Sequence, residues 1–361
     1  MPELPELHGM ANVINAHAQS RQFVRCTKSS VSKLPRVSVP KGKFTISAES
    51  RGKELIMRLQ PIESRTNPVY ILCNMGMTGF FEAASSSAKM HRHAHLRFFA
   101  TDGSVLSYVD QRRYGTWRRQ CAPEWPADRG PDPVKEHEEF RQNVLCIVKA
   151  QREAFDGKPI CEVLHDQRLF NGIGNYLRAE ILFRAGVPPF TPASKVLAGL
   201  PEVAAAGSQP DFLTLCRDVP LEVITTSNDS MFRYEGGKEE KDKTVVAAAE
   251  VSRWEQWLRV YSKDDASWAV DKSGRRIWFH GAPGKLFAKF AQKSHLVKRS
   301  RQACLSSSGT SADRGVSAEG HDEAYATRSL VDTGAYKPTH RIAGKRSPAF
   351  CVAQHAKRQC T

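Results

Sequence analysis

No two cysteines in this sequence form a CxxC pair, and no apolar run approaches the roughly 18 residues that would span a bilayer. The nine cysteines are scattered and odd in number. That pattern argues against a disulfide framework and for a reducing compartment. It also leaves no structural zinc site: Cys351, His355 and Cys360 lie close together, but nothing nearby completes a fourth ligand. No metal and no cofactor is therefore expected. The start of the chain has no signal-peptide pattern. Acidic residues are also in short supply, with 38 Asp and Glu against 53 Lys and Arg, a formal charge of +15. Such an excess favours a polyanionic partner, most commonly nucleic acid, and the absence of apolar spans argues against a membrane.

What is present suggests an α+β chain in three parts. At 361 residues there is room for two ordinary domains and a tail. Residues 1–125 read as β-rich after one helix near Leu7 to Ala18. Lys43 to Ser47 and Glu54 to Leu59 alternate in polarity, while His95 to Phe99 and Val105 to Val109 flank an Asp102-Gly103 turn. Short strands separated by turns predict a sandwich or partial barrel. A Pro/Gly-rich stretch follows at 123–133. Residues 135–289 then change to a helical period, with stripes at Phe140/Val144/Ile147/Val148, at Ile160/Val163/Leu164 and from Gly174 to Ala185. Trp254, Trp257, Leu258 and Tyr261 fit one more helix, and Trp268 to Phe279 reads as two short strands. Ser227 to Lys243 reads as a loop. From residue 290 to 361, twelve Lys/Arg stand against five Asp/Glu, which predicts a basic disordered tail. Its clusters Lys298-Arg299-Ser300-Arg301 and Lys345-Arg346 suit nuclear import or nucleic acid, or simply a solvating tail.

The chemistry begins at Met1-Pro2-Glu3-Leu4-Pro5-Glu6. Once Met1 is removed, the Pro2 amine is a free nucleophile beside two carboxylates, and an amine of this kind attacks an aldehyde-like carbon to form an imine. Asn171-Gly172-Ile173-Gly174-Asn175-Tyr176 opens the helix at 174–185. Its glycines and helix N-terminus suit a phosphate, here a DNA phosphate, with Asn175 as an added donor. A tight interhelical turn is the alternative. Lys53, in Arg51-Gly52-Lys53-Glu54, fits either a cleft lysine that contacts phosphate or acts as a general acid, or an ordinary surface lysine. Arg275 in Gly274-Arg275-Arg276 suits a phosphate clamp at a hairpin tip, or a solvated turn. Met77, Arg112 and Tyr114 stand in two glycine-flanked loops and together could wedge into a base stack.

These motifs, in this order and spacing over residues 2–290, resemble the formamidopyrimidine/endonuclease VIII DNA glycosylases. Tyr70 to Phe81, Arg92 to Arg97 and Arg275 to Phe279 are most similar to the eukaryotic Nei-like type-1 branch. The resemblance implies an N-terminal β-sandwich, a C-terminal helix–two-turns–helix domain and a finger hairpin. No cysteine stands between Cys216 and Cys304, so the finger resembles the zincless kind, with Trp268, Ile277, Trp278 and Phe279 packing in place of the metal. Leu4 and Tyr114 are mild departures from Nei-type spelling.

The implied activity is that of a bifunctional DNA glycosylase/lyase, acting on oxidised pyrimidines, formamidopyrimidines and hydantoins in base excision repair. Pro2 would be the nucleophile, Glu3 the acid and Glu6 the group that positions or relieves the amine. Lys53 would assist elimination. Asn175 and Arg275 would clamp phosphates, Arg275 also aiding δ-elimination, and Met77, Arg112 and Tyr114 would fill the vacated stack. Arg233 and Tyr234, in a lesion loop at Met231 to Gly237, are further candidates. The expected partner is damaged DNA, whether duplex, bubble or single-stranded, with repair proteins reached through the tail. A nuclear monomer is expected. The alternatives are a non-catalytic binder of damaged or single-stranded DNA and, more remotely, a metal-dependent nuclease.

Overall fold

Alternation of apolar and polar residues builds the first layer. In the computed structural model, which describes residues 2–63, 67–203, 209–226, 254–291 and 294–296, the chain is α+β. Helix α1 (Leu4–Ala18) is followed by strands β1 (Phe23–Lys28), β2 (Phe44–Arg51), β3 (Glu54–Pro61), β4 (Val69–Asn74), β5 (Gly79–Ala84), β6 (Ala94–Ala100), β7 (Val105–Asp110) and β8 (Thr116–Gln120). All eight are antiparallel, in the order β5-β7-β6-β1-β2-β3-β4-β8. β1 and β2 touch at one pair only, Phe23 with Phe44. The sheet turns there, so its two halves face each other as a sandwich. Phe23, Phe44, Leu59, Ile71, Phe81, Phe98 and Leu106 fill the space between them, and Leu7, Met10 and Ile14 of α1 join the same core.

The helical part follows, with α2 (His137–Ala150), α3 (Arg152–Asp156), α4 (Ile160–Val163), α5 (Asn175–Arg184), α6 (Ala193–Leu197) and α7 (Phe212–Thr226). Its core contains Phe140, Val144, Ile160, Phe170, Leu177, Phe190 and Leu213. Strands β9 (Ser267–Val270) and β10 (Arg276–Phe279) form a hairpin whose Ile277 and Phe279 are buried in that same core. Leu4 also packs there, although Leu7, one turn along α1, belongs to the sandwich. The first turn of α1 is thus a plug between the two cores.

Two expectations need adjusting. The helix expected through Trp254 to Tyr261 is helical only at 254–257. Beyond it, buried Glu180 of α5 accepts the amides of Arg259, Val260 and Tyr261 at 2.9–3.0 Å, taking donors that a continuing helix would use. Nor does order stop at 289: Phe290 is buried, and β11 (Ser294–His295) pairs with β9. The rest of the expected tail, the loop at 227–243 with Arg233 and Tyr234, the Lys/Arg clusters and the Cys351/His355/Cys360 group lie outside the described residues.

Within the helical part, α2 is tied to the start of α7 by charge. Arg141 is fully buried, forks onto both carboxylate oxygens of Asp211 at 2.9 and 2.7 Å, and donates to the Pro201 and Glu202 carbonyls. Removing one member leaves the other buried and unpaired. Asp211→Ala should therefore cost roughly 3–5 kcal/mol of unfolding free energy in urea titration; a loss below about 1 kcal/mol, the level of an exposed pair, would show the contact to be incidental.

Candidate active site

The site starts from a helix end that needs an anion. The first amides of a helix have no partner within it, and its dipole favours negative charge there. At α5 that charge is Glu3. Its carboxylate accepts the amides of Gly174 (2.7 Å), Tyr176 (3.0 Å) and Leu177 (3.3 Å) and is almost fully buried. This corrects the expectation that the α5 N-terminus holds a DNA phosphate, since a carboxylate of the chain itself occupies the place. It also explains the glycines. A Cβ on Gly174 would lie 2.2 Å from the Glu3 carboxyl carbon. Gly172 has φ +95 with Leu4 pressed against it, and the Leu4 amide donates to its carbonyl at 3.1 Å.

The neighbouring groups follow from that anchor. Glu3 ends in extended backbone, and Pro5 sits at the start of α1, where its fixed φ suits the first turn. Glu6, one turn along, accepts the Glu3 amide at 2.7 Å and the Tyr176 hydroxyl at 3.0 Å. Pro2 is half-buried beside them. Lys53 stands on the two-residue turn between β2 and β3, where Gly52 has φ +56 and packs on the Asn171 side chain. Its Nζ donates to the Ile173 carbonyl at 2.6 Å. The Gly52 amide in turn donates to Asp132 Oδ2 at 2.7 Å. The N-terminal turn, the Lys53 turn and the 171–174 loop therefore meet at one place.

Burial controls the electrostatics here. Loss of water pushes the Glu3 carboxyl up from 4.5 to about 7; Lys53 opposes the rise and Glu6 adds to it. The same loss raises Glu6, opposed by the Glu3 amide and the Tyr176 hydroxyl. Lys53 is lowered from 10.5 to about 8, chiefly by desolvation; Glu3 opposes the fall, while Arg275 and Arg129 add to it. An acid and an amine that both titrate near neutrality share one cleft, as proton-transfer chemistry requires.

Asn175 and Arg275 are brought together by residues that sequence reading missed. Arg178, on α5, pairs with Asp271 at 2.7 Å and donates to Asn175 Oδ1 at 2.8 Å. Asp271 accepts the Arg275 amide at 2.9 Å, at the turn between β9 and β10 where Arg275 is exposed. Glu180 and Asp132 were also missed; Gln167 and Tyr176 belong to the motif around 171–176 but had no role assigned, and Gln167 holds the Gly172 amide and the Ile173 carbonyl, both at 3.0 Å. A charged or polar residue on an otherwise apolar helix stripe, as at Arg178 and Glu180, was the available signal.

Met77, Arg112 and Tyr114 are all exposed, Tyr114 by 63%. They lie on two loops joined by buried Asp110, which accepts Thr78 Oγ1 (2.6 Å) and the amides of Arg112 (3.2 Å) and Gly115 (2.8 Å). Close packing of Gly76 on Tyr114 and Gly115 fixes the pair. What holds these two loops is thus separate from the buried carboxylate cluster.

Solved structures share this fold. The MutM (Fpg) protein of Thermus thermophilus aligns with TM-score 0.55 at 21% identity, covering 77% of this chain and 97% of that one. A Lactococcus lactis formamidopyrimidine-DNA glycosylase bound non-covalently to DNA containing an AP site aligns with TM-score 0.53 at 20% identity over 77% and 97%. The fold is thus that of the formamidopyrimidine-DNA glycosylases. Residues 1–117 match the formamidopyrimidine-DNA glycosylase N-terminal domain, and 250–288 match the DNA-binding domain of endonuclease VIII-like 1. Endonuclease 8-like 1 of Homo sapiens is 38% identical over 85% of this chain and 78% of its own length. The Mus musculus protein of the same name is 36% identical over 100% and 96%. The chain belongs to the formamidopyrimidine/endonuclease VIII family of DNA glycosylases.

The raised Glu3 pKa fixes the sign of a pH effect. The folded chain binds more protons at Glu3 than the unfolded one between pH 4.5 and 7, so this contribution to stability is full below that window and is lost as pH rises through it. The melting temperature of the wild type, measured against Glu3→Gln, should fall across that range. Parallel curves would contradict the shift.

Proposed function

We propose that this chain is a bifunctional DNA glycosylase/AP lyase that removes oxidised bases through a Schiff base on Pro2. The observation that carries the reading is the meeting of the Pro2-Glu3-Glu6 turn, Lys53 and the α5 N-terminus in one desolvated cleft. Removal of Met1 is required, because a proline nitrogen in a peptide bond is an amide whose lone pair is delocalised into the carbonyl and unavailable for attack.

A target base inside a duplex is out of reach, so the nucleotide is flipped outward. The Pro2 nitrogen attacks C1′ of the deoxyribose and the N-glycosidic bond breaks toward the base. An α-amine titrates at about 7.7–8.0 in peptides, so a small lowering leaves much of it neutral. Glu3, with a carboxyl near 7, supplies a proton to the departing base or the ring oxygen. Ring opening gives the iminium. Loss of a C2′ proton expels the 3′ phosphate (β-elimination), and a second elimination expels the 5′ phosphate. Glu6 and Lys53 carry protons in these steps, while Asn175 and Arg275 hold the phosphates that leave. Met77, Arg112 and Tyr114 enter the emptied stack. No step calls for a metal, and the β9–β10–β11 sheet fits a finger kept in shape by apolar packing: Ile277 and Phe279 are buried, and Trp278 packs on Tyr261 at 4.6 Å between centroids.

The substrates implied are oxidised pyrimidines, formamidopyrimidines and hydantoins in damaged DNA, with the nucleus as the place of work. A non-catalytic binder of damaged DNA is the alternative outcome if Met1 is retained. Borohydride added to enzyme and an oxidised-pyrimidine duplex should trap a covalent adduct that EDTA leaves intact. Absence of an adduct from protein with a verified Pro2 terminus would overturn the lyase reading. Lys53→Leu and Arg275→Ala should each reduce strand cleavage at least tenfold, about 1.4 kcal/mol of barrier, with little change in melting temperature. A collapse of folding with cleavage would place them in the scaffold instead. Binding should also weaken steeply as salt is raised, as phosphate contacts require.

A further inference from the structure

We infer that the buried Arg178–Asp271 pair is a positioning device that sets Asn175 and Arg275 at a fixed separation, so that both phosphates beside the flipped nucleotide are held together. The inference rests on the function proposed above.

The geometry is specific. Asp271 uses one carboxylate oxygen on the turn between β9 and β10, accepting the amides of Ser273 and Arg275 at 2.9 Å each. Its amide donates to the Arg275 carbonyl at 3.0 Å, closing the turn from which Arg275 projects. The other oxygen takes Arg178 Nη1 at 2.7 Å. Arg178 directs its other Nη1 and Nη2 hydrogens to the Cys161 carbonyl (3.0 Å), Asn175 Oδ1 (2.8 Å) and the Arg276 carbonyl (3.2 Å). With Asn175 Oδ1 engaged and its side chain also hydrogen-bonded to Tyr261, the amide nitrogen keeps one of its two N–H groups for a phosphate. One guanidinium thus touches α4, α5 and both sides of the hairpin tip.

A purely structural role explains this less well. Both side chains are buried, at 0% and 2% exposure, and Arg178 Nε has no partner among the described residues. Burying an ion pair with an unmet donor is a poor route to stability, and apolar residues often do as well or better. What apolar packing cannot supply is a fork with fixed angles. Lysine cannot supply it either, since a single ammonium cannot span four acceptors on two helices and a hairpin. A hairpin kept in shape by apolar packing alone would slide more freely on α5 than one pinned by a charged fork.

The experiment uses the full-length protein and a duplex bearing an abasic site. The double variant Arg178→Met/Asp271→Asn removes both charges while keeping an acceptor for the turn, and Arg178→Lys keeps a cation without the fork. Melting temperature, the ratio of β,δ- to β-elimination product, the borohydride-trapped adduct and the salt dependence of binding are read together. The double variant should keep its melting temperature and its trapped adduct. Its product should shift toward β-elimination by at least tenfold, and its salt slope should fall by about one phosphate contact. A folded double variant with wild-type product ratio and salt slope overturns the inference. If the double variant does not fold, Arg178→Lys decides: the same product shift supports the device and wild-type behaviour overturns it. Failure of the wild type itself to give an adduct or β,δ products would instead refute the proposed function.

Discussion

The carboxylate of Glu3 against the N-terminus of α5 is the contact on which the rest of the structure depends. It joins residue 3 to residues 174–177, and so joins a helix that packs on the sandwich to the centre of the helical part. It also places Pro2 beside Glu6 and the Lys53 turn. A helix end that elsewhere would bind a ligand anion is satisfied from within, and the cost of burying the carboxylate is reduced by three amides. The remaining cost appears as a raised pKa. One interaction is therefore both a structural joint and the source of an acid that titrates near neutral pH.

Helix α5 extends that logic along its length. Its N-terminus takes Glu3, Arg178 takes Asp271, and Glu180 takes the backbone at 259–261. Leu177, Ile181 and Leu182 fill the core between these polar contacts. A helix buried nearly all round must have every charge paired, and here each pairing fixes a different piece of the site. The loops that carry Met77, Arg112 and Tyr114 obey a separate constraint through Asp110, so their geometry is set within the sandwich.

Much of this was legible in the sequence, for identifiable reasons. Strands β2, β3, β6 and β7 show clean alternation or flank a turn, and α2 and α5 carry apolar stripes. Strands β1 and β4 gave weaker signals: β1 is largely exposed or half-exposed, and β4 is buried almost throughout, so neither alternates. The glycines of the 171–174 loop were rightly suspected of close approach, but what approaches is Leu4 and Glu3 of the same chain. A spacing of about 170 residues between anion and helix end cannot be read from local pattern. Arg178 and Asp271 were missed for the same reason: a buried ion pair is visible only when both partners are in place.

The central claim is that the Pro2 nitrogen, and no lysine, forms the covalent bond to DNA. Borohydride-reduced adduct should be digested and its cross-linked peptide sequenced by mass spectrometry. The account predicts a deoxyribose remnant on an N-terminal peptide beginning at Pro2. A remnant on Lys53, or on any other lysine, with an unmodified Pro2 terminus in the same adduct would contradict it.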